Sequence, residues 1–257
     1  MTAVQATTVH TPTADGAADA YFTHPSDGRP HPAVLLYMDA FGVRPQLTAM
    51  ADRLAANGYT VLVPNVFYRE AAAPVVELPE IIDPQSRPEI FEKIGPMMQA
   101  LTPELAMRDA GAYLDWLQAR PEAAGGPVGL TGYCLGAGLA LRTAGTYPHR
   151  VAAAAGFHGA QLATDAPDSP HRLAEHITAE LYFGHADQDH ALPEEQIQLL
   201  DSTLTEAGVR FRAEVYRGAP HGYTQADTAA HDEQATERHW SELLDLFERA
   251  LRPAVRD

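Results

Sequence analysis

The sequence predicts an α/β fold, a mostly parallel central sheet with helices on both faces. Three observations carry this. Short apolar runs such as AVLLYM (33–38) and TVLVP (60–64) are continuous rather than alternating, as strands buried on both faces require. From residue 128 onward, such runs alternate with helix-length segments, the order that parallel crossovers need. The chain has 257 residues and a 46% hydrophobic share, enough for a large core, with no repeat, low-complexity tract or linker, so 1–257 reads as one domain.

Residues 17–23 form a short strand, and the turn cluster PSDGRPHP (25–32) follows. The buried strand 33–38 leads to helix 46–57, closed by Gly58, and then to strand 60–64. Between Asn65 and Leu101 prolines break the pattern, which predicts an excursion over the sheet with a short helix near 88–94. Helix 103–119 has Thr102 as N-cap and Pro103 at its first position. Then come strand 128–133, helix 135–146, strand 151–156, helix 170–176, strand 179–184, helix 194–207, strand 211–216 and a last helix over 229–251.

The formal net charge of −16 opposes binding to phosphate backbones or anionic lipid surfaces, so neither nucleic acid nor membrane is expected as a partner. One cysteine cannot make an internal disulfide. The first residues show no basic or apolar signal segment, and no apolar run approaches the roughly 20 residues of a membrane helix. A cytoplasmic protein is expected, with no metal or other cofactor.

Gly132-Tyr133-Cys134-Leu135-Gly136 has the form G-x-C-x-G, between a predicted buried strand and a predicted helix. The related G-x-S-x-G marks the nucleophile elbow of α/β-hydrolases, where glycines leave room for a strained turn. A thiol there sits at a helix N-terminus, which favours its anion. The Leu135 N–H can serve an oxyanion. The plainer reading, a small buried hydrophobe, describes most lone cysteines but not one in this context.

A thiol nucleophile needs a base and the base an orienting acid, in the chain order nucleophile, acid, histidine. Of 12 histidines, His221 lies in a loop just beyond the last predicted strand, where catalytic groups of open α/β sheets gather. The loop after strand 179–184 offers Asp187 and Asp189, between which residue chemistry alone does not choose. His185, Asp187, Asp189 and His190 also suggest a metal cluster, but their spacing matches no tight ligand motif.

With MDAFGV (38–43), VLVPNVF (61–67), GYCLGAG (132–138), FHG (157–159), DHALP (189–193) and AEVYRGAPHGY (213–223), the chain resembles the dienelactone hydrolase family from about Ala20 to Leu251. The resemblance implies an α/β-hydrolase fold and a Cys134–His221–Asp189 triad, with Asp187 as second choice for the acid. It implies that Ala40 joins Leu135 in the oxyanion hole, and that His158, Tyr223 and Phe41 line the pocket. The family has a glutamate, thought to hold the resting thiol, where this chain has Asp39; a plainer role for Asp39 is to cap the turn. Gln225 replaces an arginine that holds a substrate carboxylate, and Arg69 and Arg87 are candidates for a second such arginine. The expected activity is hydrolysis of a small-molecule carboxylic ester or lactone through a thioester. The rivals are a non-catalytic small-ligand-binding or thiol redox-sensing module and, less compatible with a cysteine elbow, carbon–halogen hydrolysis.

Overall fold

The computed structural model describes residues 2–252, which form two compact units. Among the described residues, one runs from Thr2 to Gly126 and includes Asp227–Ala229; the other comprises Pro127–Ala226 and residues 230–252.

The first unit contains strands β1 (Val4–Thr13), β2 (Gly16–Pro25), β3 (Ala33–Tyr37) and β4 (Thr60–Pro64), and helices α1 (Pro45–Ala56), α2 (Arg87–Ala100) and α3 (Pro103–Gln118). Its strands lie in the order β1-β2-β4-β3; β1–β2 and β2–β4 are antiparallel, β3–β4 parallel. β3 and β4 are buried at every residue, as their continuous apolar runs require. Successive side chains of β2 point to opposite faces. Tyr21 reaches Asp52 of α1 (2.9 Å), while the Phe22 ring meets Trp116 of α3 edge-on, with centroids 5.1 Å apart.

Two elements here depart from expectation. β1 escaped the sequence reading because it is a largely exposed edge strand with little apolar pattern, held by a ten-pair register with β2. Pro12 within it is tolerated at an edge. α2 is longer than the expected 88–94 and runs through Pro96, a residue that lacks the helical N–H and normally ends a helix. The Thr102 cap forms as expected, its Oγ1 accepting the Leu105 N–H at 3.3 Å.

The second unit contains β5 (Val128–Tyr133), α4 (Leu135–Thr146), β6 (Val151–Phe157), a 3₁₀ turn (Pro170–His176, where an α-helix was expected), β7 (Glu180–Ala186), α5 (Glu194–Glu206), β8 (Phe211–Tyr216) and α6 (Glu233–Leu251). The order β5-β6-β7-β8 is parallel throughout. Helices cover both faces. Gly129 abuts Phe247 and Leu251 of α6, whereas Gly132 abuts the first turn of α4. α6 begins after Asp232, whose carboxylate accepts the Ala235 N–H at 2.8 Å, four residues later than the sequence suggested. No helix among the described residues is long and apolar enough to cross a membrane.

Candidate active site

β5 ends at Tyr133, and the chain turns sharply into α4 at Cys134, with φ 53° and ψ −113°. An L-residue rarely adopts this conformation, so neighbouring structure must impose it. The Cys134 N–H donates to Phe157 O (3.1 Å), and Cys134 O accepts from the N–H groups of Ala137 and Ala160 at 3.2 and 3.3 Å. A Cβ on Gly132 would lie 2.0 Å from Gly136 O, which explains the need for glycine two residues before Cys134. Gly132→Ala should therefore cost at least about 3 kcal/mol, read as a lower urea midpoint; an unchanged midpoint would contradict the close approach. Cys134 is half-buried. Leu135 opens α4, so its N–H has no acceptor within the helix.

The acid loop leaves β7 and the histidine loop leaves β8, both at the carboxyl ends of parallel neighbours. His221 Nδ1 donates to Asp189 Oδ2 at 2.6 Å, and Asp189 Oδ1 accepts the Ala191 N–H at 2.8 Å. The Asp189 side chain is 3% exposed and that of His221 25%. Burial alone would lower the His221 pKa. The electrostatic influence of Cys134, together with hydrogen bonds to Asp189 and Cys134, outweighs it and pushes the value up from 6.5 to about 10. Imidazole and carboxylate are thus hydrogen-bonded within the second unit, and Cys134 is among the groups that act on the imidazole.

Asp187 does something else. Its Oδ2 accepts the Gly218 N–H (2.9 Å) and its own N–H donates to Ala219 O (2.8 Å), tying the acid loop to the histidine loop. The four residues weighed as a metal cluster do not converge. His185 is buried and stacked on Phe183, whereas His190 is exposed, and no three His, Cys, Asp or Glu among the described residues are placed to hold a metal.

His158, Tyr223 and Gln225 were expected to meet substrate, but the structure buries all three (0%, 0% and 1% exposed). The Tyr223 hydroxyl donates to Gly184 O at 2.9 Å, and its burial raises its pKa well above the ordinary value. The Gln225 amide donates to Thr224 Oγ1 at 3.1 Å. His158, at φ 36°, has its Nε2 2.7 Å from Thr224 Oγ1 and its ring edge-on to His221, with centroids 5.2 Å apart. Of the three, His158 packs directly against the His221 ring.

In the first unit, Asp39 follows β3 and is 3% exposed. Its carboxylate accepts from Arg44 Nη1 (2.7 Å) and Nη2 (3.0 Å) and from the Phe41 N–H (2.9 Å). Both oxygens are therefore engaged in capping the turn and pairing with Arg44. Arg44 also grips Asp227 through Nε (2.5 Å) and Nη2 (3.1 Å). Burial would lower the Arg44 pKa, but Asp39 and Asp227 more than reverse this and raise it. The sequence reading missed Arg44; its five-residue spacing from Asp39 was the only signal. Ala40 is buried, and Phe41 is half-buried against Phe91 of α2, with centroids 5.8 Å apart. Arg69 is taken up by Asp109 (2.7 and 2.8 Å) and Asp15, so it does not serve as a carboxylate-binding arginine. Arg87 opens α2, half-buried, with no acceptor for its Nε among the described residues.

A strained cysteine between a buried parallel strand and a helix, with acid and histidine loops on the next strands, defines the α/β-hydrolase class. The chain belongs to the dienelactone hydrolase family, whose model matches residues 18–251, and it is a hydrolase. A Synechocystis sp. protein carried under the provisional name carboxymethylenebutenolidase is 24% identical over 97% of this chain and 98% of its own. The carboxymethylenebutenolidase of Rhodococcus opacus is 27% identical over 90% of this chain and 86% of its own. Among solved structures, a provisionally named dienelactone hydrolase from Klebsiella pneumoniae superposes with a TM-score of 0.83 at 20% identity, covering 96% of this chain and 99% of its own.

Proposed function

We propose that this protein hydrolyses a carboxylic ester or lactone with Cys134 as nucleophile, His221 as proton carrier and Asp189 as its orienting acid. The reading is supported by the 2.6 Å His221–Asp189 hydrogen bond, with Cys134 and Asp189 together raising the pKa of the imidazole between them. The thiolate attacks the carbonyl carbon, and the oxyanion is met by the N–H at the start of α4, Leu135. As the C–O bond breaks, the His221 imidazolium protonates the departing alkoxide. This leaves a thioester and a neutral imidazole. Water then attacks the thioester while His221 takes its proton; the C–S bond breaks, releasing the acid and restoring the thiolate–imidazolium pair. Ala40 is assigned the second oxyanion N–H on the family resemblance alone. A single match spanning residues 18–251 supports reading both units as one hydrolase domain.

Neutral esters and lactones are the favoured substrates. Gln225 is buried and neutral where the family places an arginine, and Arg44 and Arg69 are already bound to aspartates. The mechanism is tested by acid-quenching the enzyme during turnover of an aryl ester and measuring intact mass. A mass increase equal to the acyl group, mapped to Cys134, is expected. Turnover with the acyl group on another residue would refute the thioester route.

A further inference from the structure

We infer that His158 is a positioning residue for this reaction, one whose ring holds the plane of the His221 imidazole. The inference rests on the reading above, in which His221 carries the proton.

The bond from Nδ1 to Asp189 fixes His221 at one point. It leaves the ring free to turn about the line of that bond, whereas a proton carrier must keep its other nitrogen aimed. His158 supplies a second contact, ring to ring. The two centroids lie 5.2 Å apart at an interplanar angle of 67°, the T-shaped arrangement that aromatic rings favour. Tyr223, two residues beyond His221, meets the His158 ring in the same way, at 5.1 Å and 80°. The histidine loop thus closes on His158 from two positions.

His158 is in turn tied to each part of the second unit that carries a member of the proposed triad. It follows Phe157, whose carbonyl accepts the Cys134 N–H at 3.1 Å. Its own N–H donates at 2.8 Å to Gly184 O of β7, the strand that leads to Asp189. The Tyr223 hydroxyl donates to the same oxygen at 2.9 Å. Its Nε2 lies 2.7 Å from Thr224 Oγ1 in the histidine loop.

The backbone makes this placement specific. His158 has φ 36°, in the left-handed region uncommon for residues with a side chain. A glycine would take the turn at no steric cost. A bulky residue kept there is held by its surroundings, and here they bury its ring against His221. An apolar ring would fill the space equally well. The Thr224 bond adds direction, because it fixes which way the His158 ring faces.

The test compares His158→Asn and Thr224→Val with wild type on a neutral aryl ester. Ester kcat and KM, the melting temperature and the His221 ring-proton titration by NMR are read together. Asparagine accepts the left-handed backbone, so the first variant removes the ring and not the turn. Valine keeps the shape of threonine without the hydroxyl, so the second frees the His158 ring without unpacking it. For His158→Asn, kcat should fall about 10- to 100-fold, the scale of a displacement of about 1 Å at a reacting centre. KM should stay within about threefold, because the imidazole acts on the proton and not on the bound ester. Thr224→Val should lose at least about threefold in kcat in the same pattern. It leaves the burial of His221 unchanged, so looser pairing with Cys134 and Asp189 should bring the His221 midpoint below its wild-type value of about 10.

Unchanged kcat in folded His158→Asn overturns the inference, even with a lower melting temperature, which would mark a purely structural role. So does a KM that rises as kcat falls, or an unmoved His221 midpoint in folded Thr224→Val. Should one variant fail to fold, the other decides. Wild type lacking Cys134-dependent turnover would instead sink the functional reading, and the positioning role with it. Cys134-dependent turnover that ignores both substitutions sinks the positioning role alone.

Discussion

Cys134→Ala is expected to abolish ester and lactone turnover, with a loss of about 10⁴-fold or more, as for removal of the nucleophile from other hydrolase triads. The protein should stay folded. The side chain is half-buried, and its replacement removes one sulfur atom from the mouth of the elbow rather than from the core. The same variant should change the titration of His221. Burial still lowers the imidazole pKa and Asp189 still raises it, but both contributions from Cys134 disappear. The midpoint should fall below about 10, readable as a ring-proton NMR shift against pH. A titration that ignores the substitution would mean that sulfur and imidazole do not interact.

This coupling also has a stability consequence. The folded-state pKa of His221 is raised from 6.5 to about 10, so the native protein keeps a proton that the unfolded chain releases. The contribution of His221 taken by itself is complete below about pH 6.5 and is lost as pH rises towards about 10. In Cys134→Ala the loss should be smaller and finish at lower pH, which denaturant midpoints at pH 6, 8 and 9.5 would follow.

The second large effect separates the two aspartates of the acid loop. Asp189→Asn should lower kcat about 10³- to 10⁴-fold, because an amide facing Nδ1 can favour the wrong imidazole tautomer and cannot stabilise the imidazolium. KM should change little, since the damage lies in proton transfer. Asp187→Asn, by contrast, should keep kcat within about threefold. Its bond to the Gly218 N–H can be remade by the amide oxygen, and only the charge and a long contact to Arg217 at 3.4 Å are lost. A stability cost of about 1 kcal/mol is expected from the weakened tie between the loops. If Asp187→Asn were the inactive variant and Asp189→Asn the active one, the roles assigned here would be reversed.

Most strands and helices were legible because their signals are local. Continuous apolar runs gave β3, β4 and β5, and the cap at Thr102 gave the start of α3. β1 was not legible, because an exposed edge strand carries no burial pattern and owes its existence to the partner it pairs with. α2 was read too short, because a proline that breaks a helix by intrinsic preference was tolerated in place.

The amino-acid order by itself determined the elbow at Cys134 and the loops that carry His221 and an acid, since these follow from where strands end and in what succession. Side-chain direction was decided only by tertiary structure. Which aspartate meets His221, the inward burial of His158, Tyr223 and Gln225, and the commitment of Asp39 to Arg44 all depend on contacts between residues remote in sequence. The physical reason is that strand and turn preferences act over a few neighbouring residues. A buried charge, in contrast, takes whichever distant partner the folded backbone brings within about 3 Å.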